Sequence, residues 1–231
     1  MKLAIMQPYA FPYIGYFQLI NVVDKFILLD DVNYIMRGWI NRNVILVNGK
    51  DFLFSIPLKK ASQNKLIFEC EIKESNWKEK LQKTIEFSYK KAPFYSDCFE
   101  VISTILSSTE NNLSKWLSFQ INVICNYLDI NTEIVESSRL YNTQNLKAQD
   151  KIMDICIQEG ADTYYNAIGG KNFYDKNDFN NKNIELHFLR TQPVTYMQFS
   201  SDFKPLLSII DVMMFNSSST INNMLKQYEI I

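Results

Sequence analysis

One histidine, His187, stands in a chain of 231 residues. That scarcity excludes a His-rich zinc site, and any Ser-His or Cys-His mechanism would have to run through this single imidazole. No metal centre is expected. An excess of one charge is lacking too: 24 Lys and Arg meet 25 Asp and Glu, so the chain has no generic duplex-binding character and nucleic acid is not an expected partner. The four cysteines, Cys70, Cys98, Cys125 and Cys156, form no CxxC pair and fall mostly in apolar helical patterns. They read as buried thiols of a reducing compartment. No apolar run approaches the ~20 residues of a membrane-spanning helix, and Leu3–Met6 is cut short by Gln7 and Pro8, too soon for a signal-peptide core. The expectation is a cytoplasmic protein.

What is present is core. Hydrophobic residues make up 47% of the chain, which excludes disorder and provides for one sizeable domain or two small ones. No repeat, composition break or clear linker divides it, so a single α/β domain over residues 1–231 is expected.

The run Leu3-Ala4-Ile5-Met6 suits a strand buried on both faces, broken by the two prolines and glycine of QPYAFPYIGY. Apolar residues from Phe17 to Val23 fit a short helix, and Lys25 to Val32 a second buried strand: a βαβ unit. Asn48-Gly49 between apolar runs, Val44–Val47 and Lys50–Pro57, predicts an antiparallel hairpin, because both turn positions accept positive φ. About residues 75–130 the pattern is helical, with Ser75 or Asn76, Pro93 and Leu113 opening three helices. Strands near Thr132–Val135, Thr163–Tyr165 and Ile184–Leu189 and a helix ending near Gly160 restore the βαβ alternation. Lys176–Asn183 reads as an exposed polar loop, and helices follow from Leu206. The fold class is α/β, Rossmann-like, with a mostly parallel sheet, a β-hairpin and a helical insertion.

In open α/β sheets ligands bind beyond the carboxyl ends of the strands. That rule selects three loops: Gln7 to Tyr16, Asp30-Asp31 with Arg37 to Asn43, and Asn166 to Asp175. Asp30 and Asp31 point to opposite faces of an extended strand, so at most one is catalytic. Asp31 is the candidate general base or hydroxyl-binding carboxylate; alternatively both merely cap the strand end. Arg37 and Arg42, two of the chain's four arginines, flank Trp39 and Asn41. Guanidinium forks suit phosphate or carboxylate, and an indole stacks on a base or sugar. The plainer alternative pairs one arginine with Asp30 or Asp31 and leaves Trp39 to fill core. Asn166, Gly169, Gly170 and Lys171 offer backbone amides and a charge for an anion, although an ordinary tight turn explains them as well. Gln7, Tyr13 and Tyr16 are candidate substrate contacts, the tyrosines stacking on sugar rings or simply covering the sheet. His187 is a second candidate base by virtue of its ordinary pKa of ~6.5, or a structural residue of an apolar strand.

The block KLAIMQPYAFPYIGYFQLINVVDKFILLDDV, with RGWINRN and the Asn48-Gly49 turn, resembles the opening of the WbqC-like family. TYYNAIGGKNFYD, TYMQ and FKPLLSIIDVMMFN are similar to its C-terminal motifs, so the likeness runs from about Met1 to Asn216. The resemblance implies a place in bacterial O-antigen or other surface-polysaccharide (lipopolysaccharide) pathways, and with it an enzyme that transfers an acyl or aminoacyl group to the amine of a nucleotide-linked sugar. The donor would be an activated acyl group such as a thioester. A weaker likeness concerns PYIGY, which stands where nucleotidyltransferase-like Rossmann enzymes carry an HxGH-type signature, with Tyr13 and Tyr16 in place of the histidines. It implies a nucleotide-dependent transferase or ligase using ATP with magnesium. A non-catalytic partner that binds a sugar-nucleotide or a biosynthetic enzyme is the third reading.

Overall fold

The computed structural model describes residues 1–200 and 202–231. The first apolar run forms β1 (Lys2–Met6), the proline-bearing loop leads to α1 (Ile14–Asn21), and β2 (Lys25–Leu28) follows. β1 and β2 are parallel, with Leu3 opposite Lys25 and Met6 opposite Leu28. Helix α1 starts three residues before Phe17, because Ile14 and Tyr16 are buried as well. Strands β3 (Arg42–Val47) and β4 (Lys50–Ser55) make the hairpin, turning through Asn48 and Gly49 at φ of 52° and 73°. A short pair, β5 (Leu58–Lys59) with β6 (Glu71–Ile72), precedes three helices: α2 (Trp77–Tyr89), α3 (Tyr95–Ser107) and α4 (Leu113–Tyr127). The alternation then resumes with β7 (Glu133–Val135), α5 (Ala148–Gln158), β8 (Thr163–Ala167), α6 (Lys176–Asn180) and β9 (Glu185–Thr191). The chain closes with α7 (Ile209–Phe215), α8 (Ser218–Met224) and β10 (Tyr228–Ile230).

Six strands form one sheet in the order β10-β9-β8-β1-β2-β7. All neighbours are parallel except β10, which runs antiparallel to β9 at the edge. From β1 the chain winds outward through β2 to β7, returns to the other side of β1 as β8, and winds outward again. This is the doubly wound α/β arrangement, and its switch point lies between β1 and β8. Alternation along the strands sends Ala4, Phe26, Leu28 and Tyr165 into a large core with α1, α2–α4 and α7. Leu3, Ile5, Ile27 and Tyr164 face the other way, onto α5 and α6.

Two elements differ from the sequence reading. Within the supposed polar loop 176–183, the Asp175 side chain accepts from the Asn177 amide at 2.8 Å and caps α6, whose Phe179 is buried and stacks on Tyr164 with ring centroids 5.5 Å apart. One anchoring aromatic suffices to order a segment whose other residues are polar. The terminal strand β10 has no signal of its own beyond Tyr228-Glu229-Ile230, and its register is set by β9.

Candidate functional site

The loop after β1 is held by residues far away in sequence. Phe11, at φ 42°, donates its amide to Gln120 Oε1 of α4 at 2.7 Å. Its carbonyl accepts from Asn43 Nδ2 of β3 at 2.8 Å and from Ser208 Oγ, just before α7, also at 2.8 Å. The amide of Ile209 donates to the Pro12 carbonyl at 3.0 Å. Four donors and acceptors from three elements thus fix a backbone that two prolines already stiffen.

This loop walls two adjoining cavities that share Tyr13 and Leu206. One, of about 420 Å³, lies beyond the carboxyl end of β9 and includes Thr191, Gln192, Thr195 and Tyr196. The other, of about 270 Å³, is formed by Tyr9, Pro12, Tyr13, Trp39, Asn43 and Leu206. Together they make an aromatic-walled cleft over the start of α1, where Tyr13 is the residue before the first turn and supplies no side-chain cap. Gly15 is required here by close approach: a Cβ would come within 2.4 Å of Thr191 Oγ1 and of the Tyr13 ring. Thr191 Oγ1 is buried without a hydrogen-bond partner among the described residues. No charged side chain lines either cavity among the described residues.

The candidates from the sequence divide between this cleft and other places. Tyr13 and Trp39 both line it. Arg42 lies behind Trp39, its guanidinium 5.7 Å from the ring centre, and donates to the Gly38 carbonyl at 3.0 Å and to that of Arg37. Arg37 itself is exposed at φ 61°. Asn41 is engaged in structure, accepting from the Tyr34 hydroxyl at 2.6 Å and donating to the Ile56 carbonyl at 2.8 Å. Tyr16 turns into the core and donates to the Gln7 carbonyl at 3.0 Å, which pins Gln7 at the end of β1. Asn166 is buried and accepts from the Ala167 amide at 2.7 Å. Gly169, Gly170 and Lys171 lie in a 3-10 turn over Ile168–Phe173, and neither glycine has the positive φ of an anion nest. His187 sits midway along the sheet opposite Tyr165, with Glu185 Oε2 3.3 Å from Nε2.

Asp30 and Asp31 belong to a separate cluster. Asp30 is fully buried and accepts from Ser137 Oγ at 2.6 Å and Ser114 Oγ at 2.7 Å, with Arg139 Nε at 3.4 Å. Asp31 pairs with Lys151 Nζ at 2.5 Å and accepts from Ser138. The cations beside these carboxylates are therefore Arg139 and Lys151, not Arg37 or Arg42.

Asp211 of α7 was not singled out by the sequence. It is fully buried, and burial pushes its carboxyl above the usual range even though three donors oppose the shift: the hydroxyls of Tyr196 at 2.7 Å and Tyr89 at 2.8 Å, and Gln198 Nε2 at 2.8 Å. Tyr196 also lines the cleft, so the Asp211 bonds place one of its walls. The signal was legible in part, since Tyr196, Gln198 and Asp211 lie in the segments TYMQ and FKPLLSIIDVMMFN.

A doubly wound α/β protein with an aromatic cleft at the carboxyl ends of its strands is the class these features define. The chain belongs to the WbqC-like protein family, whose pattern it matches over residues 7–223. An uncharacterized protein of Mycobacterium tuberculosis is 29% identical over 215 residues, which span 92% of each chain. No solved structure matches the chain significantly. No helix among the described residues is long and apolar enough to cross a membrane.

Proposed function

We propose that this chain is a transferase of surface-polysaccharide biosynthesis that binds a nucleotide-linked amino sugar in the aromatic cleft and acylates or aminoacylates its amine. The observation that carries the reading is the doubly wound strand order, with Tyr13 and Trp39 facing one cavity beside the switch point. Nucleotides bind at that place in folds of this order. The aromatic faces stack on base or sugar, and Gln192, Thr191 and Thr195 supply neutral hydrogen-bonding groups for hydroxyls. Exposed Arg37, on the same loop as Trp39, meets the phosphates. The sugar amine attacks the carbonyl of an activated donor such as a thioester; the N–C bond forms, the C–S bond breaks, and the proton lost by the amine leaves on the departing thiol. Asp31 and His187 take no part, because neither lines the cleft.

The nucleotide-dependent alternative with ATP and magnesium draws on the same strand order, but of the two tyrosines in PYIGY that stand for the histidines, Tyr16 is turned inward and Tyr13 alone reaches the cleft. Native mass spectrometry against a panel of nucleotides and nucleotide-sugars tests the proposal. A nucleotide-linked amino sugar is retained, and Tyr13→Ala or Trp39→Ala weakens it by about five- to a hundredfold, the usual worth of an aromatic stacking partner. If the wild type retains no nucleotide-sugar across the panel, the reading fails; pyrophosphate release on adding ATP and an amine favours the alternative.

A further inference from the structure

A separate cavity, of about 640 Å³, opens beyond the carboxyl ends of β2 and β7, away from the aromatic cleft. Its lining brings together three cations, Arg139, Lys147 and Lys151, with an apolar wall of Val32, Leu66, Phe68 and Leu146. Five formal charges meet here: these three cations, the lining carboxylate Asp31, and Asp30 behind it, for a net positive balance.

The cations are not consumed by the carboxylates. Lys151 is 5% exposed, and among the described residues its ammonium has one hydrogen-bond partner, Asp31 Oδ2, out of three donors. Arg139 approaches the Asp30 cluster through the Nε of its side chain alone, 2.9 Å from Ser137 Oγ and 3.4 Å from Asp30. Its guanidinium lies 4.5 Å from the centre of the Phe68 ring, which orients the fork without satisfying the terminal nitrogens. Lys147 makes no ion pair among the described residues. It is also the residue before the first turn of α5, and it provides no side-chain cap there, so the partial positive charge of that helix end adds to the same cavity.

We propose that this cavity binds a phosphate monoester whose apolar body lies against Phe68 and Leu146. A tetrahedral dianion offers three oxygens to three cations, whereas a carboxylate offers two oxygens and half the charge. The apolar wall selects an organic ester over inorganic phosphate. The site is separate from the aromatic cleft and does not depend on the function proposed for it.

Titration calorimetry of the full chain at fixed ionic strength, with phenyl phosphate, inorganic phosphate and benzoate as probes, tests the proposal. Phenyl phosphate binds saturably and at least about tenfold more tightly than either of the others. The exposed cations are neutralised in Arg139→Gln/Lys147→Gln, which weakens phenyl phosphate at least about tenfold; Lys147→Gln alone weakens it about threefold. The charge-matched control Lys59→Gln/Arg190→Gln, at two exposed ion pairs elsewhere, leaves binding unchanged. Absence of saturable binding, equal binding of benzoate or inorganic phosphate, or an equal loss in the control each overturns the proposal. None of these outcomes bears on retention of nucleotide-sugars by the cleft.

Discussion

Gly15 is the residue on which the cleft's geometry turns. Its missing side chain lets the Tyr13 ring and Thr191 close over the first turn of α1. Gly15→Ala adds one methyl group where the neighbouring atoms stand 2.4 Å away, and such overpacking costs ~1–3 kcal/mol. Equilibrium urea unfolding reads this as a lower midpoint with an unchanged slope. Because the methyl displaces Tyr13, retention of a cleft ligand falls along with stability. The cysteines contrast with this, since all four are buried and burial pushes the thiols of Cys125 and Cys156 up to about 12. They are filling atoms rather than nucleophiles.

Between elements, the junction of β2 with α5 depends on Glu159. Lys25 at the start of β2 stands 2.7 Å from Glu159 and 3.1 Å from Glu133 of β7, and Tyr141 donates to Glu159 as well. Burial raises the Glu159 carboxyl, but the bonds from Lys25 and Tyr141 outweigh it and hold the group below its ordinary value of 4.5. The unfolded chain therefore binds this proton more readily, so stability from Glu159 is present above that ordinary value and is lost as pH falls through the depressed folded one. Glu159→Gln costs ~1 kcal/mol at neutral pH and removes that portion of the acid sensitivity, measured as unfolding free energy from pH 7 to pH 3. If the variant and the wild type lose stability in parallel over that range, the pairing contributes nothing. The Asn48-Gly49 hairpin and the helices of 77–127 carry local turn and periodicity signals, whereas α6 rests on the distant contact of Phe179 with Tyr164.

Across the molecule, the sheet's centre and the cleft's rim differ in how they are held. β1 is flanked by β2 and β8, with Leu3 and Ala4 fully buried. The rim carries Trp39 about half exposed and Leu206 at 76%, and Ile35 and Met36, a few residues before Trp39, are about half exposed as well. Amide hydrogen exchange is expected to separate the two: β1, β2 and β8 exchange only through global opening, while 35–39 and 202–206 exchange by local fluctuation and slow when a cleft ligand binds. Uniform exchange over both regions would contradict this division.

The sequence by itself determined the α/β alternation, the hairpin, the helical segment, the buried cysteines and the family likeness, because each is written in local patterns of hydrophobicity, turn residues or motif order. It also singled out three loops beyond the carboxyl ends of strands; the loop after β1 and the stretch with Trp39 and Asn43 wall the cleft, whereas Asn166–Asp175 does not line it. Which side chains meet was decided only by tertiary structure. Tyr13 and Trp39 converge because Asn43, Gln120 and Ser208 fasten the loop after β1 from three other elements. Asp31 was drawn to Lys151, 120 residues away, while His187 remained beside Tyr165 in mid-sheet. Strand order set these neighbours, and strand order follows from long-range pairing that no local window of sequence records.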